Sequence, residues 1–405
     1  MALVVLCGAS YYVYKTNDVN EIYEIKESKN ANNMLSMMLE TSAGSGEYQK
    51  TSASEWPTEG YVFNSTLSKC KNGSNLSWDN DKKQVIFDGN TKDDCYVYFD
   101  KEPSYLYKYI KKLYTGVQGE NNLYYHDSTL TNGAGDNSYR YAGSSETTNN
   151  FVCFGYDSTD GTCPTDYLYR IIGVFDNQVK LIKYDYAKST LLGTDASYSS
   201  TYSKASFSNG TSKGNNSKSE IGVYVWTDGS YNTIKWNKNL LNLTNLNTNY
   251  LKNIKEMWDS KISLHSWVIA GNDFNNIGAV IVSVSYKNEI LYPYSYVTKI
   301  YDGKVGLMYV SDYGYAAAPS AWTIALSIYD SEEIPNENWM CMGLYEWTIT
   351  NRTDATDAAY FVPSACSISN ANVKTAFAIR PVFYLNPNVT YVSGNGTKEN
   401  PILIN

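Results

Sequence analysis

The chain has 405 residues, a formal net charge of -8, 43% hydrophobic and 15% aromatic residues, and 18% charged residues. That much apolar and aromatic material excludes a disordered chain. The acidic balance argues against nucleic-acid binding, which needs a basic face, and no apolar run approaches the roughly 20 residues of a membrane-spanning helix, which excludes a polytopic membrane protein.

In chain order, the apolar run Ala2 to Tyr14 is too short to span a bilayer and lacks a basic leader segment. It reads either as the remnant of a membrane anchor (1–14) or as a short buried strand. Ile22, Ile25, Met34, Leu35, Met38 and Leu39 fit one face of a helix, ending at Gly44-Ser45-Gly46, so 15–46 is expected to be a helical stalk. Short strands and turns over 47–102, clearest at Val85-Ile86-Phe87, predict a small β module. Pro103, then Leu106, Ile110 and Leu113, stopped by Gly116, predict a helix. With the Gly-rich stretch after it, 103–164 reads as a helix and loop-rich linker to a C-terminal domain at 165–405.

That domain opens on two strands, Leu168 to Phe175 and Val179 to Ile182, joined by an Asp176-Asn177 turn. Leu251, Ile254, Met257, Trp258 and Ile262 trace one amphipathic helix. Val280 to Tyr286, Lys304 to Val310, Trp339 to Ile349 and Ala376 to Leu385 read as further strands. The fold class is α+β.

Catalytic signatures are sparse. The two His, His126 and His265, lie far apart, and His265 alternates with apolar neighbours as a structural residue does. No dinucleotide fingerprint, phosphate loop or zinc-protease motif occurs, so no catalytic residue, metal or cofactor is assigned. Asp157, Asp160 and Asp166 around Gly161 read as a turn, because the spacing of a calcium loop is missing. Asp93-Asp94 and Glu332-Glu333 read as solvated pairs. None of the seven Cys forms CxxC. Cys70 with Cys95, and Cys153 with Cys163, each flank a turn-rich stretch, so both pairs are expected as disulfides of an extracytoplasmic protein; Cys341 and Cys366 are left open. Only four of the 33 basic residues are Arg, at 140, 170, 352 and 380, and these mark places where a planar fork is needed.

Five segments carry a family resemblance: Tyr169-Arg170-Ile171-Ile172-Gly173-Val174, Gly306 to Ala316, Asn338 to Ile349, Arg380-Pro381-Val382-Phe383-Tyr384-Leu385 and Tyr391 to Thr397. Together they resemble surface proteins of low-GC gut bacteria with a C-type-lectin-like domain, in the formylglycine-generating-enzyme-like branch of that fold. The same branch includes the variable proteins of diversity-generating retroelements. The enzyme of that branch would need a closely spaced copper-binding Cys pair; Cys341 and Cys366 are not one, which puts its chemistry in doubt.

The resemblance implies a C-type-lectin-like domain over 165–405 whose polar stretch between Trp347 and Arg380 is a variable binding face for a protein or glycan. The expected ligand-binding residues are Asn351, Arg352, Asp354, Thr356, Asp357, Tyr360, Ser364, Ser367, Ser369, Asn370, Asn372 and Lys374, on one exposed face. Tyr360 and Arg352 are expected to dominate binding. Trp339, Trp347, Arg380 and Phe383 are expected beneath it as support. The expected setting is the outer side of the cell envelope, with the N-terminal segment in the membrane and no nucleic-acid partner. Two other readings remain: a carbohydrate-active enzyme using distant carboxylates such as Glu346 and Asp312, and a pilus-like structural subunit.

Overall fold

The computed structural model describes residues 2–7, 10–15, 22–25, 35–89, 93–157, 162–200, 210–227, 236–273, 278–293, 299–331 and 333–405. The class is α+β, mostly sheet with few helices. The chain divides into two compact units, residues 1–104 and 105–405.

In the first unit, Leu35–Glu40 runs parallel to Cys95–Lys101. Tyr48–Lys50 borders the former, and Tyr61–Phe63 and Lys69–Cys70 border the latter, all antiparallel. A second sheet joins Ile22–Ile25, Gln84–Asp88 and Asn75–Asp79, and Ala2–Cys7 pairs with Ser10–Lys15. Alternation along the strand puts Cys95, Val97 and Phe99 inward, onto Leu35, Met37, Trp56, Val85 and Phe87. The helical stalk expected over 15–46 is therefore corrected where described: Ile22–Ile25 and Leu35–Glu40 are strands. The apolar spacing at Leu35, Met38 and Leu39 suits either period, and pairing with Cys95–Lys101 decides for the strand. The anchor segment carries two strands, and no helix among the described residues is long and apolar enough to cross a membrane.

The second unit contains two principal sheets. One runs Leu123–His126, Ser138–Tyr141, Leu168–Phe175, Gln178–Lys183, Val382–Tyr384, Val305–Gly306, with Phe151–Cys153 beside Leu168–Phe175 and every pairing antiparallel. The hairpin predicted at Asp176-Asn177 is present, with Phe175 opposite Gln178 and Asp176 at φ 54°. Residues 105–164 of the stretch expected as a linker fall within this unit and supply the helix Leu106–Leu113 and three strands of the sheet. Leu106 and Ile110 bury that helix as their spacing demands.

Two further expectations yield to tertiary context. The single helix expected over 251–262 breaks at Lys255, which takes φ 71°, into Leu251–Asn253 and Glu256–Asp259. Val280 to Tyr286, expected as a strand, contains the helix Val282–Tyr286, which buries Val282, Ser285 and Tyr286 at helical spacing and exposes Val284. Burial on one stripe outweighs the β-branched composition.

The second sheet runs Val223–Val225, Ala376–Ala378, Glu346–Arg352, Ala358–Val362, Ser369–Asn372, with Gly271–Asn272 parallel to the end of Glu346–Arg352. Gly271 lies so close to this strand that a Cβ there would collide with the Asn351 carbonyl.

Both expected disulfides, Cys70–Cys95 and Cys153–Cys163, are formed, and Cys341 pairs with Cys366. Cys70–Cys95 sits inside the small first unit and closes a 25-residue span. A loop of that length contributes about 3 kcal/mol. A Cys70→Ser/Cys95→Ser variant should lose amide-exchange protection over 35–101 while residues 105–405 keep theirs, as read by hydrogen exchange with mass spectrometry.

Candidate functional site

The site is built on the strands Glu346–Arg352, Ala358–Val362 and Ser369–Asn372. Their register places Trp347 opposite Phe361, Tyr360 opposite Asn370 and Ala358 opposite Asn372. Below lies an aromatic layer: Trp347 and Phe377 have ring centroids 4.6 Å apart, and Phe361 and Phe377 4.4 Å. Its polar atoms are satisfied by backbone. Trp347 Nε1 donates to the Tyr224 carbonyl at 3.0 Å, Trp226 Nε1 to Thr348 at 3.1 Å, and the Tyr360 hydroxyl to Asn272 at 3.1 Å.

Arg380, fully buried, donates from Nε to Glu346 Oε1 at 2.7 Å and from Nη2 to the Met340 carbonyl at 2.9 Å. Burial pushes the Glu346 carboxyl above its usual range, against the pull of Arg380. Glu289 lies deeper. It accepts from Thr350 Oγ1 at 2.6 Å, the Ser311 N–H at 3.1 Å and Ser285 Oγ at 3.2 Å. Desolvation outweighs those hydrogen bonds and pushes its carboxyl up to about 7.

The twelve expected contact residues divide by depth. Asp354, Thr356, Asp357, Asn372 and Lys374 are exposed; Arg352, Ser364, Ser369 and Asn370 are half-buried. The exposed and half-buried polar groups are organised by one another. Arg352 grips Asp354 with Nε at 3.0 Å and Nη2 at 2.6 Å, and its Nη1 reaches Asn370 Oδ1 at 3.2 Å. Asn372 Nδ2 donates to Asp357 Oδ2 at 3.0 Å. The strand Ser369–Asn372 is thus tied to the loop at 353–357.

Asn351, Tyr360 and Ser367 correct the expectation of exposure. Tyr360 is 0% exposed because its strand lies between two others with its hydroxyl turned to Asn272, so it cannot be the dominant surface contact. Asn351 is clamped against Gly271, its N–H on the Ala270 carbonyl at 3.1 Å. Ser367 follows Cys366, which is drawn inward by its disulfide and by the Tyr313 hydroxyl, 2.6 Å from its carbonyl.

Of the four expected supports, Trp347 is buried on the strand Glu346–Arg352 and Arg380 is buried against Glu346, both at the end of that strand away from residues 352–357. Trp339 and Phe383 are equally buried but serve the first sheet: Trp339 donates to the Tyr141 carbonyl at 2.9 Å and carries the Arg170 guanidinium 4.7 Å above its ring, while Phe383 packs on Phe154 and Tyr169.

The carboxylates of the enzyme reading are both committed inside the protein. Glu346 is held by Arg380, and Asp312, 3% exposed, accepts Lys180 Nζ at 2.6 Å and the Tyr309 N–H at 2.9 Å. His126 is buried with Nδ1 accepting from the Ala134 N–H at 3.1 Å, and burial pushes its pKa well below the usual value. His265 stacks on Tyr384 at 3.9 Å, and burial lowers its pKa to about 4. Asp166 pairs with Lys188 at 3.0 Å, while Asp160 lies outside the described residues. Cys70, Asp93 and Cys95 are the one cluster with metal-ligand proximity among the described residues, but the two sulfurs are spent in a disulfide and Asp93 accepts the Asn72 and Ser74 N–H groups. Sequence reasoning missed Glu289 and Thr350, since neither sits in a motif.

No protein-family model matches the chain, and neither the curated proteins nor the solved structures contain a match to it.

Arg380→Met leaves the buried Glu346 unpaired and should cost about 3–5 kcal/mol, measured by urea unfolding, with a smaller loss in the Arg380→Met/Glu346→Leu double variant. Glu289 gives a pH dependence. Its folded pKa, about 7, lies above the ordinary value of 4.5, so its stabilising contribution is present at low pH and is lost as pH rises toward 7. Glu289→Gln should therefore gain stability relative to the native chain between pH 5 and pH 8; a constant difference across that range would contradict the assignment.

Proposed function

We propose that the 105–405 unit is an extracytoplasmic ligand-binding domain, C-type-lectin-like in plan, that meets a protein or glycan partner through the polar face carried by residues 352–357 and 369–374. One observation carries this reading: mutually hydrogen-bonded polar side chains, Arg352 with Asp354 and Asn370 and Asp357 with Asn372, are borne at one end of strands whose remaining residues are buried. A rigid base with an adaptable polar surface is the arrangement that recognition loops use. Arg352 is held by Asp354 and Asn370, so this part of the face is ordered before a partner arrives. Three disulfides support an oxidising compartment. Tethering through Ala2 to Tyr14, and sequence variation at the face as in retroelement variable proteins, belong to the same proposal. The burial of Glu346 and Asp312 in ion pairs makes the reading as a carbohydrate-active enzyme the weaker one.

The test replaces Asp354, Thr356, Asp357, Asn372 and Lys374 together and compares native and variant proteins on glycan and extracellular-protein arrays. Exposed substitutions cost within about 0.5 kcal/mol each, so the melting temperature should move by a few degrees at most while the bound set changes. An unchanged bound set, or an unfolded variant, would overturn the proposal.

A further inference from the structure

Lys180 lies within the strand Gln178–Lys183, and Asp312 in the first turn of the helix Val310–Tyr315, 132 residues further along the chain. Folding brings them together: Lys180 Nζ is 2.6 Å from Asp312 Oδ2, and the two side chains are 1% and 3% exposed. Lys304 and Asp259 stand as close, at 2.6 Å, but each is 30% exposed. Among the described residues Lys180 and Asp312 make the one lysine–carboxylate contact with both side chains buried.

As ions the two are incompletely satisfied. An ammonium has three donors, and among the described residues Asp312 supplies the one hydrogen-bond acceptor. Rings wall the rest of Nζ: the centres of Tyr309, Tyr384, Phe175 and Trp267 lie 4.8, 5.2, 5.5 and 5.8 Å away. They attract the cation but offer no oxygen to its spare N–H groups. Burial lowers the Lys180 pKa, against the pull of Asp312, and brings the neutral, nucleophilic amine nearer.

Asp312 is fixed to receive that amine. Its Oδ2 accepts the Tyr309 N–H at 2.9 Å, and its Oδ1 lies 3.9 Å from Arg140 Nη1. A buried cation at that position stabilises negative charge developing on Oδ1. Groups held in reactive contact reach effective molarities on the order of 10⁵ M or more. We propose that Lys180 and Asp312 condense to an intramolecular amide that joins the strand to the helix.

The step balances within the pair. A proton passes from Nζ to Oδ2. The neutral amine attacks Cγ, and Oδ1 carries the negative charge of the tetrahedral intermediate. A second proton leaves the nitrogen for Oδ2, the Cγ–Oδ2 bond breaks, and Oδ2 departs as water. Ammonium and carboxylate become one amide and one water, with no oxidant or co-reactant. The product removes two desolvated charges, while Arg140 keeps its partner Asp136. It also ties the first sheet to a helix that touches the second: the Val310 N–H bonds Thr350 Oγ1, and the Tyr313 hydroxyl bonds the Cys366 carbonyl.

The experiment is mass spectrometry of the full chain, reduced and denatured. The expected mass is about 18 Da, one water, below that of the sequence. An aspartate can also lose water to its own backbone, so tryptic digestion must yield a branched peptide linking Lys180 to Asp312 and uncut after Lys180. Lys180→Arg keeps a cation for Asp312 and should return the full sequence mass. The native measurement needs no variant, so it decides even where Lys180→Arg fails to fold. A native chain at full sequence mass and cleaved after Lys180, a branch at Lys304 and Asp259 instead, or the same loss of mass in Lys180→Arg would each overturn the proposal.

Discussion

The buried pair of Arg380 and Glu346 fixes the geometry on which the second sheet depends. Both groups are almost wholly removed from water, with N to O 2.7 Å. Two desolvated charges are tolerated only if each is held by the other and by further hydrogen bonds. The guanidinium supplies the second link, to the Met340 carbonyl. A lysine in its place would offer a point charge without the planar fork. The consequence is topological. Glu346 begins one strand, Arg380 follows the strand Ala376–Ala378, and the bridge Glu346 to Ala378 joins them. The intervening chain is closed at its base, and the Cys341–Cys366 disulfide pins its middle. With ends and middle held, its exposed residues carry little of the fold's stability.

The first sheet of the same unit uses charge in the same way. Lys180 meets Asp312 beneath the rings of Tyr309 and Tyr384, and Arg140 is gripped by Asp136 at 2.6 Å with its guanidinium over Phe175. Arg170 differs: among the described residues it has no carboxylate partner and bonds instead to Asn150 Oδ1, Ser145 Oγ and the Thr148 carbonyl between the rings of Phe151 and Trp339. Three of the four arginines are thus interior forks, and the fourth, Arg352, is the one beside solvent. The scarcity of Arg in a Lys-rich chain was therefore a readable signal of where rigid polar recognition is needed.

Other parts were readable to different depths. The hairpin at Asp176-Asn177 and the helix Leu106–Leu113 follow from local pattern, since turn chemistry and apolar spacing there agree with burial. Local pairing across turns likewise pointed to two of the three disulfides. Leu35–Glu40 and Val282–Tyr286 were misread because their periodicity is ambiguous over a few residues and a distant partner decides. The stretch between Trp347 and Arg380 is singled out by the resemblance, which says nothing of how its residues divide by depth. Tyr360 and Asn351 look like surface residues in sequence and are buried, because the strands and the close approach at Gly271 cover both. Lys180 and Lys183 carried a faint signal, charged residues inside the apolar run Val179 to Ile182 and at its end, which only the packing of the sheet could interpret.

The central claim is that the chain between Glu346 and Arg380 is a fixed base bearing a replaceable surface. A saturation-substitution scan of residues 346–380, scored by folded protein displayed on cells, addresses it most directly. The account predicts broad tolerance at Asp354, Thr356, Asp357, Asn372 and Lys374, and intolerance at Glu346, Trp347, Asn351, Tyr360 and Arg380. Free substitution of Arg380 and Glu346, or intolerance at the five exposed positions, would contradict it.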